Sequence, residues 1–119
     1  MSRRFVIQEH AIPAGVHWDL MLEDGDILMT YRLEQPPETA RGQAVRAMRI
    51  FDHPRRFLTY EGPVQKGTGR VRIVDRGACH LSQNENVIDL ELSGEVLQGR
   101  FVLTQTEGVS WQLAPEGRE

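Results

Sequence analysis

Apolar and polar residues alternate in short runs along most of the chain, and no stretch sustains the period of an amphipathic helix. Phe5 to His10, His17 to Glu23, Ile27 to Leu33, Ala44 to Phe51, Arg70 to Asp75, Val87 to Leu92, Arg100 to Thr106 and Ser110 to Leu113 read as strands. Turn formers separate them: Pro13-Ala14-Gly15, Asp24-Gly25-Asp26, Pro36-Pro37, Gly67-Thr68-Gly69, Ser82 to Asn86, Gly94 and Glu107-Gly108. Asp24-Gly25 between two alternating runs marks a tight hairpin. Pro37 to Gln43 is the best place for a helical turn. About eight short strands with at most one or two helical turns predict an all-β fold, a single compact antiparallel β-barrel. At 119 residues the chain supplies one core, so residues 1–119 are read as one domain.

Charge and cysteine content narrow the chemistry. A formal net charge of −3 argues against a protein that grips duplex DNA along many phosphates. The one basic concentration is Arg41, Arg46, Arg49, Arg55 and Arg56, a solvated face or a local phosphate contact. Cys79 is the only cysteine, which excludes an intrachain disulfide and a multi-thiolate zinc site. No window reaches the ~18 apolar residues of a membrane span, and Met1 to Phe5 lacks the pattern of a secretory leader. A cytoplasmic protein with no membrane partner is expected.

Among the four histidines, two stand close to a carboxylate. Residues two apart on a strand share a side, so His17 and Asp19 project together, and a short loop returns the chain past His10. If those strands pair, two imidazoles and one carboxylate converge, a donor set suited to Mn²⁺, Fe²⁺ or Zn²⁺. A metal held there would polarise a phosphoryl oxygen and stabilise charge developing on phosphorus. The spacing alone is equally that of ordinary strand histidines.

The wider sequence carries more. Phe5-Val6-Ile7-Gln8-Glu9-His10, His17-Trp18-Asp19-Leu20-Met21-Leu22-Glu23, Asp52-His53-Pro54, Tyr60-Glu61-Gly62 and Val74-Asp75-Arg76-Gly77 occur in that order. Gly99-Arg100-Phe101-Val102-Leu103 and Trp111-Gln112-Leu113 complete the set. Together they resemble the 3′-phosphoesterase domain of bacterial end-joining DNA ligases (ligase D) and its stand-alone relatives. That family reads F-V-x-Q-x-H, H-x-D-x-R-L-E, D-H-P-x-x-Y, F-E-G, W-D-R-G, G-R-W-x-L and a late W-x-L. The resemblance implies a β-barrel that trims a 3′-phosphate or terminal 3′-ribonucleotide from nucleic acid ends in DNA repair, using Mn²⁺. Carried over by position, His10, His17 and Asp19 match the metal ligands, and His53 matches a histidine contacting the reacting phosphate. Such an imidazole can hydrogen-bond the phosphate or act as general acid.

Two departures touch the same site. The family's arginine two residues after the aspartate is Met21 here, and its tyrosine four residues after the second-site histidine is Phe57. A thioether cannot replace a guanidinium fork on phosphate. Either another side chain supplies the positive charge, or catalysis has decayed and the barrel binds nucleic acid or a DNA-repair partner. Arg49 is the candidate for the first case, since strand parity puts it on the face of His53. An apolar Met21 and Phe57 in a barrel mouth would also favour a changed substrate, such as a small phosphate ester. A repair ligase or polymerase is the expected partner. Trp18, Leu20, Leu22 and Trp111 read as core, and Cys79 and His80, adjacent on a strand, cannot act as a pair.

Overall fold

The computed structural model describes residues 3–64 and 69–117. It holds nine strands: β1 (Arg3–Ile12), β2 (Gly15–Asp24), β3 (Ile27–Leu33), β4 (Val45–Pro54), β5 (Gly62–Pro63), β6 (Arg70–Asn84), β7 (Val87–Ser93), β8 (Gln98–Glu107) and β9 (Ser110–Pro115). The sheet runs β1-β2-β3-β4-β9-β8-β7-β6, and antiparallel pairing of β6 with β1 closes it into an eight-stranded barrel. β5 adds two residues to the outer end of β6. Two 3-10 turns interrupt the strands, at Pro37–Arg41 and Arg55–Leu58. The fold is the all-β antiparallel barrel that alternation predicts. The Gly67-Thr68-Gly69 turn lies mostly outside the described residues, as do the chain ends at Met1, Ser2, Arg118 and Glu119.

Two apolar clusters lie on opposite faces of the first three strands. The barrel interior takes Phe5 and Ile7 from β1, Leu20 and Leu22 from β2, Tyr31 and Leu33 from β3, and their counterparts from the remaining long strands. Trp18 packs against this cluster, and Trp111 is buried within it. On the outside, Val6, Met21, Leu28 and Leu58 form a second, smaller cluster with Phe57 and Ile73 against it. The Arg55–Leu58 turn covers that outer face. Burial on both sides explains why Phe5-Val6-Ile7 and Leu20-Met21-Leu22 are continuous apolar runs rather than alternating ones.

Register fixes what faces what. The Asp24-Gly25 hairpin sets Asp19 opposite Arg32, and the turn after Ile12 sets His10 opposite His17. Between β3 and β4 the register shifts: Leu28 pairs with His53, but Thr30 pairs with Ile50. Three steps along β4 therefore match two along β3, which is a β-bulge, and side-chain parity changes across it.

β6 is longer than the Arg70 to Asp75 run that alternation marks, continuing through Arg76-Gly77 to Asn84. A Cβ on Gly77 would overlap the Ser93 carbonyl oxygen, so the glycine serves a close strand approach. Asp75, buried, accepts backbone N–H groups from Arg76, Glu95 and Val96 on Oδ1 and from Leu97 on Oδ2. That carboxylate holds the connection from β7 to β8 against the seam of the barrel.

Candidate metal centre and its cleft

The outer face of β1 to β3, not the mouth or interior of the barrel, carries the chemistry-bearing side chains. His10 Nδ1 lies 2.9 Å from His17 Nε2, and the rings meet edge to face at 4.6 Å. Asp19 Oδ2 lies 3.7 Å from His17 Nε2. One donor atom from each of the three residues falls within 4.8 Å of the others. Donors sharing an ion at ~2.1 Å stand roughly 3 to 3.5 Å apart, so small rotations bring this set onto a common centre. Two imidazoles and a carboxylate, with room for further oxygen donors, fit a divalent first-row metal.

Asp19 is 3% exposed, and Arg32 from β3 explains how its charge is tolerated. Arg32 Nε donates to Asp19 Oδ1 at 3.1 Å, which leaves Oδ2 on the side of His17. The guanidinium thus orients the carboxylate as well as neutralising it. Burial pushes the His17 imidazole below its ordinary range; Asp19 opposes this, while Arg32 and His10 add to it. A neutral imidazole is the form that ligates metal.

A cleft of about 560 Å³ opens beside this group, lined by His10, Asp19, Arg32, His53, Arg56 and Tyr60 among others. Its volume lies within the range of small-molecule sites. His53 enters from the far side of the β4 bulge, with Nδ1 2.8 Å from the Thr30 hydroxyl. That hydroxyl donates to the Leu28 carbonyl oxygen at 3.1 Å, so its single proton is committed. With the hydroxyl proton on Leu28, Nδ1–H of His53 donates to Thr30 and Nε2 is the nitrogen left for a ligand. Burial lowers the affinity of His53 for a second proton, with Asp19, the Phe51 carbonyl and Asp52 working against it and Arg32 with it.

The opposite wall is the Arg55–Leu58 turn and the residues after it. Gln8, buried on β1, donates its amide N–H groups to the Phe57 and Tyr60 carbonyl oxygens, each at 2.9 Å, tying the wall to the barrel. Glu23 at the end of β2 clamps the same turn, accepting from Arg55 Nη2 at 2.5 Å and from the Arg4 backbone N–H at 2.8 Å. Arg56 lies over the Phe57 ring at 4.8 Å and the Tyr60 ring at 5.8 Å.

Arg49 does not share the face of His53. The bulge inverts the parity between them, and Arg49 instead lies over the Tyr31 ring at 5.3 Å. Its guanidinium donates to the Ile50 carbonyl oxygen at 2.5 Å and to Asp52 Oδ1 at 2.8 Å, and it is absent from the cleft lining. Met21 does border the cleft but is 1% exposed, because it anchors the outer cluster.

The cationic residues at the site that simple parity misses are Arg32 and Arg56. Arg32 was within reach of the sequence: an Asp24-Gly25 hairpin with Asp24 opposite Ile27 puts residue 32 across from residue 19. Arg56 and the roles of Gln8 and Glu23 depend on a four-residue 3-10 turn that alternation does not mark.

A family model described as the DNA Ligase D 3′-phosphoesterase domain matches residues 8–105. The multifunctional non-homologous end joining protein LigD of Mycolicibacterium smegmatis is 31% identical over 124 residues, covering 91% of this chain and 16% of that protein. The corresponding DNA repair protein LigD of Mycobacterium tuberculosis is 30% identical over 117 residues, covering 90% of this chain and 15% of its own length. The chain therefore spans about one-sixth of the relatives it matches.

Proposed function

The chain belongs to the DNA ligase D 3′-phosphoesterase domain family, and on that premise we propose that it is a divalent-metal-dependent phosphoesterase acting on 3′ ends of nucleic acid strands. The reading rests on one observation above all. His10, His17 and Asp19 present donor atoms within 4.8 Å of one another, and His10 and Asp19 line a cleft that also holds His53, Arg32 and Arg56. The proposed reaction hydrolyses the bond between phosphorus and the 3′ oxygen. Water supplies the oxygen gained by phosphate, and the strand keeps a 3′-hydroxyl.

A metal ion held by His10, His17 and Asp19, Mn²⁺ by the family's example with Zn²⁺ or Fe²⁺ as substitutes, would act as a Lewis acid on a phosphoryl oxygen. The chain's own groups do the rest. Arg32 fixes Asp19 through Nε, and its two Nη groups, which make no hydrogen bond among the described residues, remain for a phosphoryl oxygen at the cleft. This offers a cation in place of the arginine that Met21 displaces. His53, neutral with Nδ1–H on Thr30, can take a proton from a phosphate monoanion at Nε2 and deliver it to the departing 3′ oxygen. Phe57 offers no hydroxyl to the phosphate, so the rate falls below that of a site with the full set of contacts.

The relatives are multifunctional end-joining proteins of which this chain matches a small part. That supports action alongside a repair ligase or polymerase, which would seal or extend the hydroxyl end.

The test is release of phosphate from a 3′-phosphorylated primer-template with Mn²⁺, set against His17→Ala and His53→Ala. Metal-dependent release by the native chain, lost in both variants, supports the reading. A second measurement needs no turnover: Mn²⁺ raises the melting temperature of the native chain and leaves His17→Ala unmoved. Equal rates in all three proteins, or no release from any, would overturn catalysis. A binding module for nucleic acid would then be the surviving reading.

A further inference from the structure

Phe51 is the one large aromatic side chain that the described residues leave mostly in water, at 72% exposure. Isolated exposed apolar residues are common and mean little by position alone. This one lines the cleft, and its ring lies on the His53 ring, centroids 4.9 Å apart and planes within 20° of parallel. One face of the phenyl is thus occupied by His53, and its exposure belongs to the other face and edge. His53 itself is held by Thr30 on one nitrogen and by Phe57 edge-on at 5.5 Å. The Phe51 ring therefore rests on a fixed support.

We propose that the open face of Phe51 is a stacking platform for the base of the nucleoside whose 3′-phosphate lies at His53. This rests on the phosphoesterase reading and names its substrate class as a nucleotide end rather than a small phosphate ester. In a nucleotide the base sits one sugar away from the phosphate. Phe51, His53, Arg32 and Asp19 line one cleft, so a base on Phe51 and a phosphate beside His53 would share it. Stacking on a phenyl tolerates any base, since every base has a π-face. Across the cleft, Arg56, spread over Phe57 and Tyr60, places a cation where the preceding backbone phosphate would pass.

The experiment pairs two substrates with two proteins. One oligonucleotide ends in an ordinary 3′-phosphorylated nucleotide; the other ends in a 3′-phosphorylated abasic residue. Phe51→Ala should raise KM for the first about tenfold and leave the second unchanged, because only the first has a base to stack. A general disturbance of His53 would slow both substrates alike and would overturn the proposal. Fluorescence of 2-aminopurine at the 3′ terminal position, followed without added metal, gives a readout independent of catalysis. The native chain should quench it, Phe51→Trp should retain the quenching, and Phe51→Ala should lose it. Quenching that is unaffected by Phe51→Ala would overturn the platform while hydrolysis stands. Quenching by the native chain with no hydrolysis of either substrate would support the platform and remove the catalytic reading instead.

Discussion

Arg32 and Met21 show how one face of a hairpin divides its work. Arg32, with its side chain 31% exposed, joins a buried carboxylate to an open cleft, so its removal has two separable effects. Arg32→Ala leaves the Asp19 charge buried without its partner, and urea denaturation should register a loss of about 1 to 3 kcal/mol. Hydrolysis of a 3′-phosphorylated primer should fall roughly 100-fold, with partial recovery in Arg32→Lys, which restores charge but not the fork. Met21 lies beside these groups and faces the same way, yet it is enclosed by Val6, Leu28 and Leu58. Replacing it with arginine would force a cation into an apolar cluster. Met21→Arg should therefore lower stability by about 3 kcal/mol or more, and a thermal melt should show it before any assay could report improved activity.

Among the elements, the Arg55–Leu58 turn and the β4 bulge decide the shape of the cleft, and neither is written in the alternation pattern. The bulge carries one residue beyond the β3 register, and apolar periodicity is blind to a single extra residue when Arg49 to Asp52 are themselves mixed in character. For that reason Arg49 is placed wrongly by parity while His53 still meets the cleft. The turn is four residues long, below the length at which a helical period is visible. By contrast, His10, His17 and Asp19 depend only on a tight turn and a two-residue repeat, both legible in the sequence. Glu23 anchors the turn, and the hydrogen bond from the Arg4 side chain is the largest cause holding its carboxyl down at about 2, against an ordinary 4.5, with Arg55 contributing. A carboxylate with a lowered folded-state value adds stability above pH 4.5 and loses it as pH falls through about 2. Glu23→Gln should thus melt earlier than the native chain at neutral pH, by roughly 1 kcal/mol. The gap should shrink below pH 4.5 and close near pH 2. A gap that widens in acid would contradict this assignment.

Across the whole molecule, closure of the barrel and the outer cleft are distinct in energy. The seam between β1, β6 and the β7–β8 connection is drawn tight around Asp75, and a Cβ on Gly94 would come within 2.5 Å of both Asp75 oxygens and 2.7 Å of the Phe5 ring. Gly94→Ala should lower stability by roughly 3 kcal/mol, measured in denaturant, while Mn²⁺ still raises its melting temperature. Cys79 offers a reporter of the interior. Burial pushes its thiol up to about 11, so a thiol reagent at pH 8 should modify it only as fast as the barrel opens.

The double covering of β1 to β3 also governs how fast different parts of the molecule exchange amide hydrogens for deuterium. Backbone N–H groups of Val6, Leu20 and Leu22 sit in ladders sealed from solvent on both sides, so they should exchange only through global opening. The Arg55–Leu58 turn belongs to no ladder and meets the barrel through Gln8, Glu23 and Leu58, so its amides should exchange sooner than those strands.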